Sequence, residues 1–147
     1  MFGAKPVYSS HDPAEIALEG QFDLIWCGSV FTHFSADQWG AFLPFLESHL
    51  APRGLLVFTT LGRLGAERLR SPEVQWGISE AGVERMLAEY EQQGFGFSPY
   101  AHAAIGVTLS KPSWVFDQIE SLTALRVVSY SEGVWGPQDV VGCTRPG

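Results

Sequence analysis

The chain has 147 residues, of which 46% are hydrophobic and 17% charged, and its formal net charge at pH 7 is −7. This length fits one domain, and the composition provides enough apolar side chains for a folded core, which excludes a disordered chain. Lysine occurs only at positions 5 and 111, and the apolar runs reach about half the length of a spanning helix, so we expect neither a nucleic-acid partner nor a membrane partner.

Signal-peptide and metal-binding patterns bear on the expected compartment and metal content of the protein. The start, MFGAKPVYSS, has no long apolar segment of the kind found in signal peptides, and this favours the cytoplasm. Cys27 and Cys143 lie far apart and outside any CxxC pattern, which is typical of reduced core cysteines. No His, Cys or carboxylate residues have metal-ligand spacing, so we expect no metal site.

Apolar runs alternate with helical periodicity, which is typical of an α/β fold. KPVYS (5–9) is a weak strand candidate, and FDLIWC (22–27) is a short apolar run typical of a buried strand. Ser35 and Gln38 have capping-box spacing, and the apolar residues after them lie on one helical face as far as Leu50.

The second half of the chain continues this alternation. GLLVFTT (54–60) predicts another buried strand, 61–77 is expected to be irregular, and Ser79 begins a helix that Gly94 ends. The segment 95–110 is ambiguous, with a short strand near 105–109. A helix then runs to about Leu122, and the apolar runs at 125–130 and 138–144 predict a terminal antiparallel hairpin.

The stretch from Phe22 to Arg63 resembles class I S-adenosylmethionine-dependent methyltransferases. Phe22 and Asp23 match the pair that begins the family's fourth strand, and His33 matches a histidine near the end of the following loop. Leu50, Pro52 and Gly54 match the turn before the fifth strand. Trp135, Gln138 and Asp139, before the last strand, are similar to a bacterial subgroup. The resemblance implies a Rossmann-like sheet of parallel strands that ends in an antiparallel hairpin.

The glycine-rich turn that binds the cofactor in this family has no match here. The resemblance therefore implies that residues 1–147 are a single partial domain, truncated at its amino-terminal side, in which 5–9 corresponds to the family's third strand. Without the family's first strand, Phe22–Cys27 presents an open apolar edge. We expect that Lys5–Ser9 covers this edge, or that another chain does, including a second copy in a homo-oligomer.

Ligands of open α/β sheets bind at the carboxyl ends of the strands. The resemblance implies S-adenosylmethionine as the cofactor. Its adenine would be contacted by Ser10, His11 and Asp12, and its methionine part by Cys27, Gly28 and Ser29. The alternatives remain open: Asp12-Pro13 is also an ordinary turn, and Gly28 also suits a plain strand-to-loop turn.

His33 is the candidate catalytic residue, since an imidazole can take a proton from the methyl acceptor. More often, a histidine in such a loop only hydrogen-bonds the loop backbone. The candidate substrate-binding residues are Arg63, Glu132 and Trp135. A solvated arginine is the simpler interpretation of Arg63, whereas Trp135 fits a pocket wall and a core position equally. A hydrolase built on Cys27 or Ser29 with His33 is not expected, because the chain has no G-x-S-x-G elbow.

The function expected from the resemblance is methyl transfer to a small-molecule or carbohydrate-linked acceptor. A second hypothesis comes from the missing glycine-rich turn. It makes the chain a non-catalytic remnant or an interaction subunit that associates through its open sheet edge.

Overall fold

The computed structural model describes residues 3–71, 73, 74 and 76–147. The helices and strands follow one another as β1 (Phe22–Cys27), α1 (Ala36–Ser48), β2 (Leu50–Thr60), α2 (Arg63–Leu69), α3 (Glu80–Gln93), β3 (Phe95–Pro99), β4 (Gly106–Ser110), α4 (Pro112–Leu122), β5 (Arg126–Trp135) and β6 (Gln138–Thr144). Two short 3₁₀ turns occupy Pro13–Glu15 and Phe31–His33.

Four of the strands form one sheet in the order β1-β2-β6-β5. β1 and β2 are parallel, whereas β6 runs antiparallel to both of its neighbours. A two-residue turn joins β5 to β6, and Gly136 provides its positive φ of 63°. The predicted fold class, an α/β Rossmann-like sheet with a terminal antiparallel hairpin, is confirmed.

One face of the sheet carries the main hydrophobic core. α1 and α4 pack there, because each has an apolar stripe at helical spacing. The capping box predicted for α1 is present: the Ser35 hydroxyl accepts from the Gln38 amide at 3.3 Å, and the Ser35 amide donates to the Gln38 side chain at 2.9 Å. The fully buried members of this core are Phe31, Trp39, Leu43, Leu50, Leu56, Phe58, Val115, Ile119, Val141 and Cys143.

The opposite face, which we call the bare face, carries Leu24, Trp26, Val128 and Trp135. These side chains are 60, 50, 57 and 44% exposed, although apolar side chains of this size normally lie in a core. β1 is also an end strand of the sheet, so its outer edge has no partner strand among the described residues. The bare face and this edge form a continuous unpaired apolar surface.

β3 and β4 form a separate antiparallel hairpin. Together with α2 and α3, this hairpin encloses a second, smaller core, which includes Leu61, Met86 and Leu109. The hairpin places residues from the middle of the chain beside the loop that follows β1, and so contributes to the site described below. No helix in the described part of the chain has the length and apolarity to cross a membrane.

Four predictions from the sequence are corrected. The segment 5–9 is not a strand: it is exposed and unpaired, because a single apolar residue, Val7, gives it no face to bury. It therefore does not cover the edge of β1. The second strand of the sheet starts at Leu50 rather than at 54. The stretch 61–77 contains α2, and 95–110 is a complete hairpin rather than one short strand.

Candidate functional site

A cavity of about 320 Å³ lies at the carboxyl ends of β1 and β2. Three segments converge there: the turn after β1, the residue after β2, and the start of β6, whose antiparallel direction brings it to the same edge of the sheet. The hairpin and the segment before α3 complete the wall. The lining residues are Thr32, His33, Leu61, Trp76, Tyr100, Val107, Pro137 and Gln138. We call this space the edge cavity.

His33 lines the edge cavity and is fixed in position by one ring nitrogen. Its Nδ1 lies 2.7 Å from the carbonyl oxygen of Gly106. A carbonyl oxygen only accepts hydrogen bonds, so Nδ1 carries a proton and donates it. In the neutral ring Nε2 is then the basic nitrogen, and Nε2 makes no hydrogen bond within the described structure. The geometry therefore fits both interpretations of His33: it bonds the backbone, and it keeps a free base.

Of the eight described residues that line this cavity, only His33 was a predicted site residue, and three of the others place polar or aromatic groups there. Tyr100 places its hydroxyl oxygen 3.3 Å from His33 Nδ1, and Trp76 adds a second aromatic wall. Thr32 is only 2% exposed, and its hydroxyl has no hydrogen-bond partner. Tyr100 and Trp76 follow His33 by dozens of residues with no motif spacing, and Thr32 sits beside His33 as an ordinary loop residue. Only the fold brings them together.

Two side chains of the predicted adenine-binding segment make hydrogen bonds to groups at most five residues away in the sequence. The Asp12 carboxylate accepts from the Ala14 amide at 2.9 Å and so caps the first 3₁₀ turn. The Ser10 hydroxyl donates to Glu15 at 2.6 Å. The turn interpretation of Asp12-Pro13 therefore describes what these side chains do in this structure.

A second cavity, of about 340 Å³, lies beside Ser10 and His11. Its other lining residues are Ser9, Val30, Phe34, Phe42 and Ile105. The segment 30–34 thus contributes to two cavities, with Val30 and Phe34 lining this one and Thr32 and His33 lining the edge cavity. Its lining combines apolar side chains with the polar side chains of Ser9, Ser10 and His11.

The predicted methionine-binding residues meet other groups of the chain. Cys27 packs against the main core, and burial raises the pKa of its thiol to about 11, so the thiol is protonated and unsuited to act as a nucleophile. The Ser29 amide donates to the Thr59 hydroxyl at 2.8 Å. A Cβ added at Gly28 would lie 2.5 Å from the Trp135 ring, so the close approach that glycine permits is made by Trp135.

The three predicted substrate-binding residues do not meet in the edge cavity. Arg63 and Glu132 form a bidentate ion pair with distances of 2.6 and 2.8 Å. This pair lowers the pKa of the Glu132 carboxyl and raises that of the Arg63 guanidinium. Both residues line a separate, open cavity of about 240 Å³. Trp135 instead stacks on Trp26, on the bare face.

A buried carboxylate network supports this edge of the sheet. Asp139 is fully buried and accepts hydrogen bonds from the Tyr130 hydroxyl at 2.6 Å and from the Gly133 amide at 2.9 Å. Burial raises the pKa of both Asp139 and Tyr130. A Cβ at Gly62 would lie 2.1 Å from the Asp139 carboxylate. Both hydrogen bonds join the start of β6 to β5. No group of three or more potential metal-binding residues occurs in the described residues.

Comparison with solved structures shows what this arrangement resembles. A methyltransferase dependent on S-adenosylmethionine from Clostridium acetobutylicum superposes with a TM-score of 0.60 at 12% identity, over 99% of this chain and 67% of that one. The N-methyltransferase NodS from Bradyrhizobium japonicum, in complex with S-adenosyl-L-homocysteine, gives 0.51 at 16% identity over 92% of this chain. A putative O-methyltransferase from Nostoc punctiforme gives 0.55 at 12% identity over 90%.

The chain has the fold of S-adenosylmethionine-dependent methyltransferases. It spans 52% of the NodS chain and 34% of the Nostoc chain. No protein-family model and no curated protein sequence matches it. At these identities the likeness establishes the fold alone.

Proposed function

We propose that the chain forms the acceptor side of a methyltransferase that uses S-adenosylmethionine and acts on a small-molecule or carbohydrate-linked acceptor. The observation that carries this proposal is the position of His33. It stands in the wall of a cavity at the carboxyl edge of the sheet, with Nδ1 anchored to Gly106 and Nε2 free.

Methyl transfer requires few chemical groups from the chain itself. The cofactor, when bound, supplies a methyl group on a positively charged sulfur. The chain has to orient an acceptor oxygen or nitrogen, keep water away and receive the acceptor's proton. Alignment alone contributes much of the rate enhancement in such reactions, and a positioned base contributes about 10²–10⁴-fold.

Four residues are the ones we expect to hold the cofactor. Ser10 and His11 line the apolar cleft suited to the adenosine, and Gly28 and Ser29 lie at the end of β1. The Trp135 ring lies against the Gly28 backbone and occupies the space that the cofactor would need there. Cofactor binding therefore requires Trp135 to move off Gly28.

Calorimetric titration of the chain with S-adenosylhomocysteine tests the proposal. We expect binding in the micromolar range, weakened by His11→Ala and unchanged by His102→Ala, which removes an exposed histidine from the β3–β4 loop. A sample with intact secondary structure that binds no S-adenosylhomocysteine would overturn the proposal.

The bare face favours a second candidate function, that of an interaction subunit. Leu24 and Trp26 are exposed beside the unpaired edge of β1, and exposed apolar patches with free edges mark interaction surfaces. About half of the NodS chain has no counterpart in this one. The occupant we propose for this surface is a polypeptide segment with the part of the methyltransferase fold that residues 1–147 do not match.

Sedimentation velocity tests the association. Leu24→Lys places a charge on the bare face within the edge strand β1, whereas Val7→Lys places the same charge on the unpaired amino-terminal segment. The partner in this experiment is a polypeptide that carries the amino-terminal half of a methyltransferase domain. If the chain is an interaction subunit, the wild type and Val7→Lys associate with this partner, and Leu24→Lys does not. Equal behaviour of the two variants would exclude this surface.

A further inference from the structure

The wall of the edge cavity is uncharged. Apart from His33, all of its described lining residues are apolar or neutral. Arg63 and Glu132 neutralise each other and line a different cavity. The described lining residues offer a charged acceptor no countercharge to replace the hydration that it loses, which is costly. The edge cavity therefore selects against charged acceptors.

The same wall favours a flat molecule. Trp76 and Tyr100 present aromatic rings, and Leu61 and Val107 are buried apolar residues on the floor. Aromatic rings pack on one another in offset or edge-to-face geometry and contribute beyond the burial of area. Pockets of this composition bind apolar ligands and use a few polar groups to orient them.

Two polar atoms of the lining residues have no hydrogen-bond partner in the described structure. One is His33 Nε2, and the other is the Thr32 hydroxyl, which is buried and lacks a partner. Buried hydroxyl groups in native proteins are almost always hydrogen-bonded. Thr60, Tyr90 and Ser110 also carry unpartnered buried hydroxyls, but of these four residues only Thr32 lines the edge cavity.

We propose that the acceptor is an uncharged aromatic molecule bearing a hydroxyl or ring N–H group, and that Thr32 is the residue that orients it. This inference rests on the proposed function. The acceptor donates its hydrogen bond to His33 Nε2, and Thr32 bonds a second polar atom of the acceptor or the same oxygen.

The reaction balances without any further reagent. A lone pair of the acceptor oxygen or nitrogen forms the new bond to the methyl carbon. The carbon–sulfur bond breaks and its electron pair stays on sulfur, which gives neutral S-adenosylhomocysteine. The acceptor's proton passes to His33 Nε2 and then to solvent.

The probe for this site is 2-naphthol, an uncharged phenol at neutral pH, and its charged counterpart is 2-naphthoate. Calorimetry on the full chain, without cofactor, is expected to show at least tenfold weaker binding of 2-naphthoate. Thr32→Val keeps the shape and removes the hydroxyl, and we expect it to weaken 2-naphthol binding about five- to tenfold. Thr60→Val is the matched control, since it removes an equally buried hydroxyl outside the cavity.

The outcomes separate this inference from the proposed function. Equal or tighter binding of 2-naphthoate, or equal 2-naphthol binding by Thr32→Val and wild type, overturns the acceptor class. If S-adenosylhomocysteine binds but 2-naphthol does not, the acceptor class is wrong and the methyltransferase proposal stands. If 2-naphthol binds with the expected Thr32 dependence but S-adenosylhomocysteine does not, the cavity assignment stands as a binding site and the methyltransferase proposal is wrong.

Discussion

The indole rings of Trp26 and Trp135 stack with their centroids 4.7 Å apart and their planes inclined by 26°. The contact joins β1 to the end of β5, two strands at opposite ends of the sheet order. It also brings the Trp135 ring against the backbone of Gly28. One side chain thus links the bare face to the predicted cofactor site.

Trp135→Ala is expected to lower the free energy of unfolding, because aromatic pairs contribute about 0.5–1.5 kcal/mol beyond the area they bury. Val134→Ala is the control: its side chain is 63% exposed, and we expect a change within about 0.5 kcal/mol. Urea denaturation measures both. Equal effects of the two substitutions would show that the stack contributes nothing to stability.

His33→Asn separates the two roles of the histidine. The asparagine amide nitrogen can replace Nδ1 as donor to Gly106 but offers nothing in place of Nε2. We therefore expect the free energy of unfolding to change by about 1 kcal/mol or less, while methyl transfer to 2-naphthol falls by about 10²–10⁴-fold. The rate is followed as S-adenosylhomocysteine released.

His49→Asn is the control for that experiment. Both ring nitrogens of His49 contact backbone carbonyl oxygens, of Phe45 at 2.8 Å and of Leu18 at 3.1 Å, away from the edge cavity. We expect lower stability and an unchanged rate per folded molecule. A His33→Asn rate within a few-fold of wild type would remove His33 from the reaction.

Gly62→Ala is expected to destabilise the chain by about 1–3 kcal/mol, as overpacking does. The new Cβ would meet the Asp139 carboxylate, which cannot retreat without losing its bonds to Tyr130 and Gly133. Gly40→Ala, in the middle of α1 with nothing within 4 Å of its Cβ position, is expected to stabilise by about 0.5–1 kcal/mol. Urea midpoints compare the two, and a shift of the same sign would contradict the clash.

Cys27 is expected to react slowly with iodoacetamide. The thiolate is the reactive form, and burial raises the pKa from 9.0 to about 11. At neutral pH the thiolate fraction is then about 100-fold below that of an ordinary thiol, and the rate rises tenfold per pH unit up to the raised pKa. Mass spectrometry of the alkylated chain gives the rate. A plateau near pH 9, as expected for the urea-unfolded chain, would contradict the effect of burial.

Local sequence signals predicted those elements whose stabilising contacts are near in sequence. The capping box at Ser35, the glycine end of α3 at Gly94 and the final strand at Gln138–Thr144 are all present at the expected positions. The segment 5–9 failed as a strand because a strand requires a partner, which no local pattern reveals. The hairpin of β3 and β4 was ambiguous because its glycines weaken the strand signal.

The site was predictable at the level of loops but not of side chains. The rule that ligands bind at the carboxyl ends of strands selected the segment of His33, and His33 lines a cavity in the structure. The rule did not predict that Asp12 caps a turn or that Arg63 pairs with Glu132. Such competing contacts depend on the tertiary structure, as does the arrival of Trp76 and Tyr100 beside His33.

The order of the strands has a consequence for how the chain is made. β6 lies between β2 and β5 and hydrogen-bonds both, yet it follows both in the sequence. While the ribosome is still synthesising residues 138–144, β2 and β5 have no strand to join them. Before then, the strand pairings open to the nascent chain are those of β1 with β2 and of β3 with β4. The edges of β2 and β5 that bind β6 stay unpaired until residues 138–144 emerge.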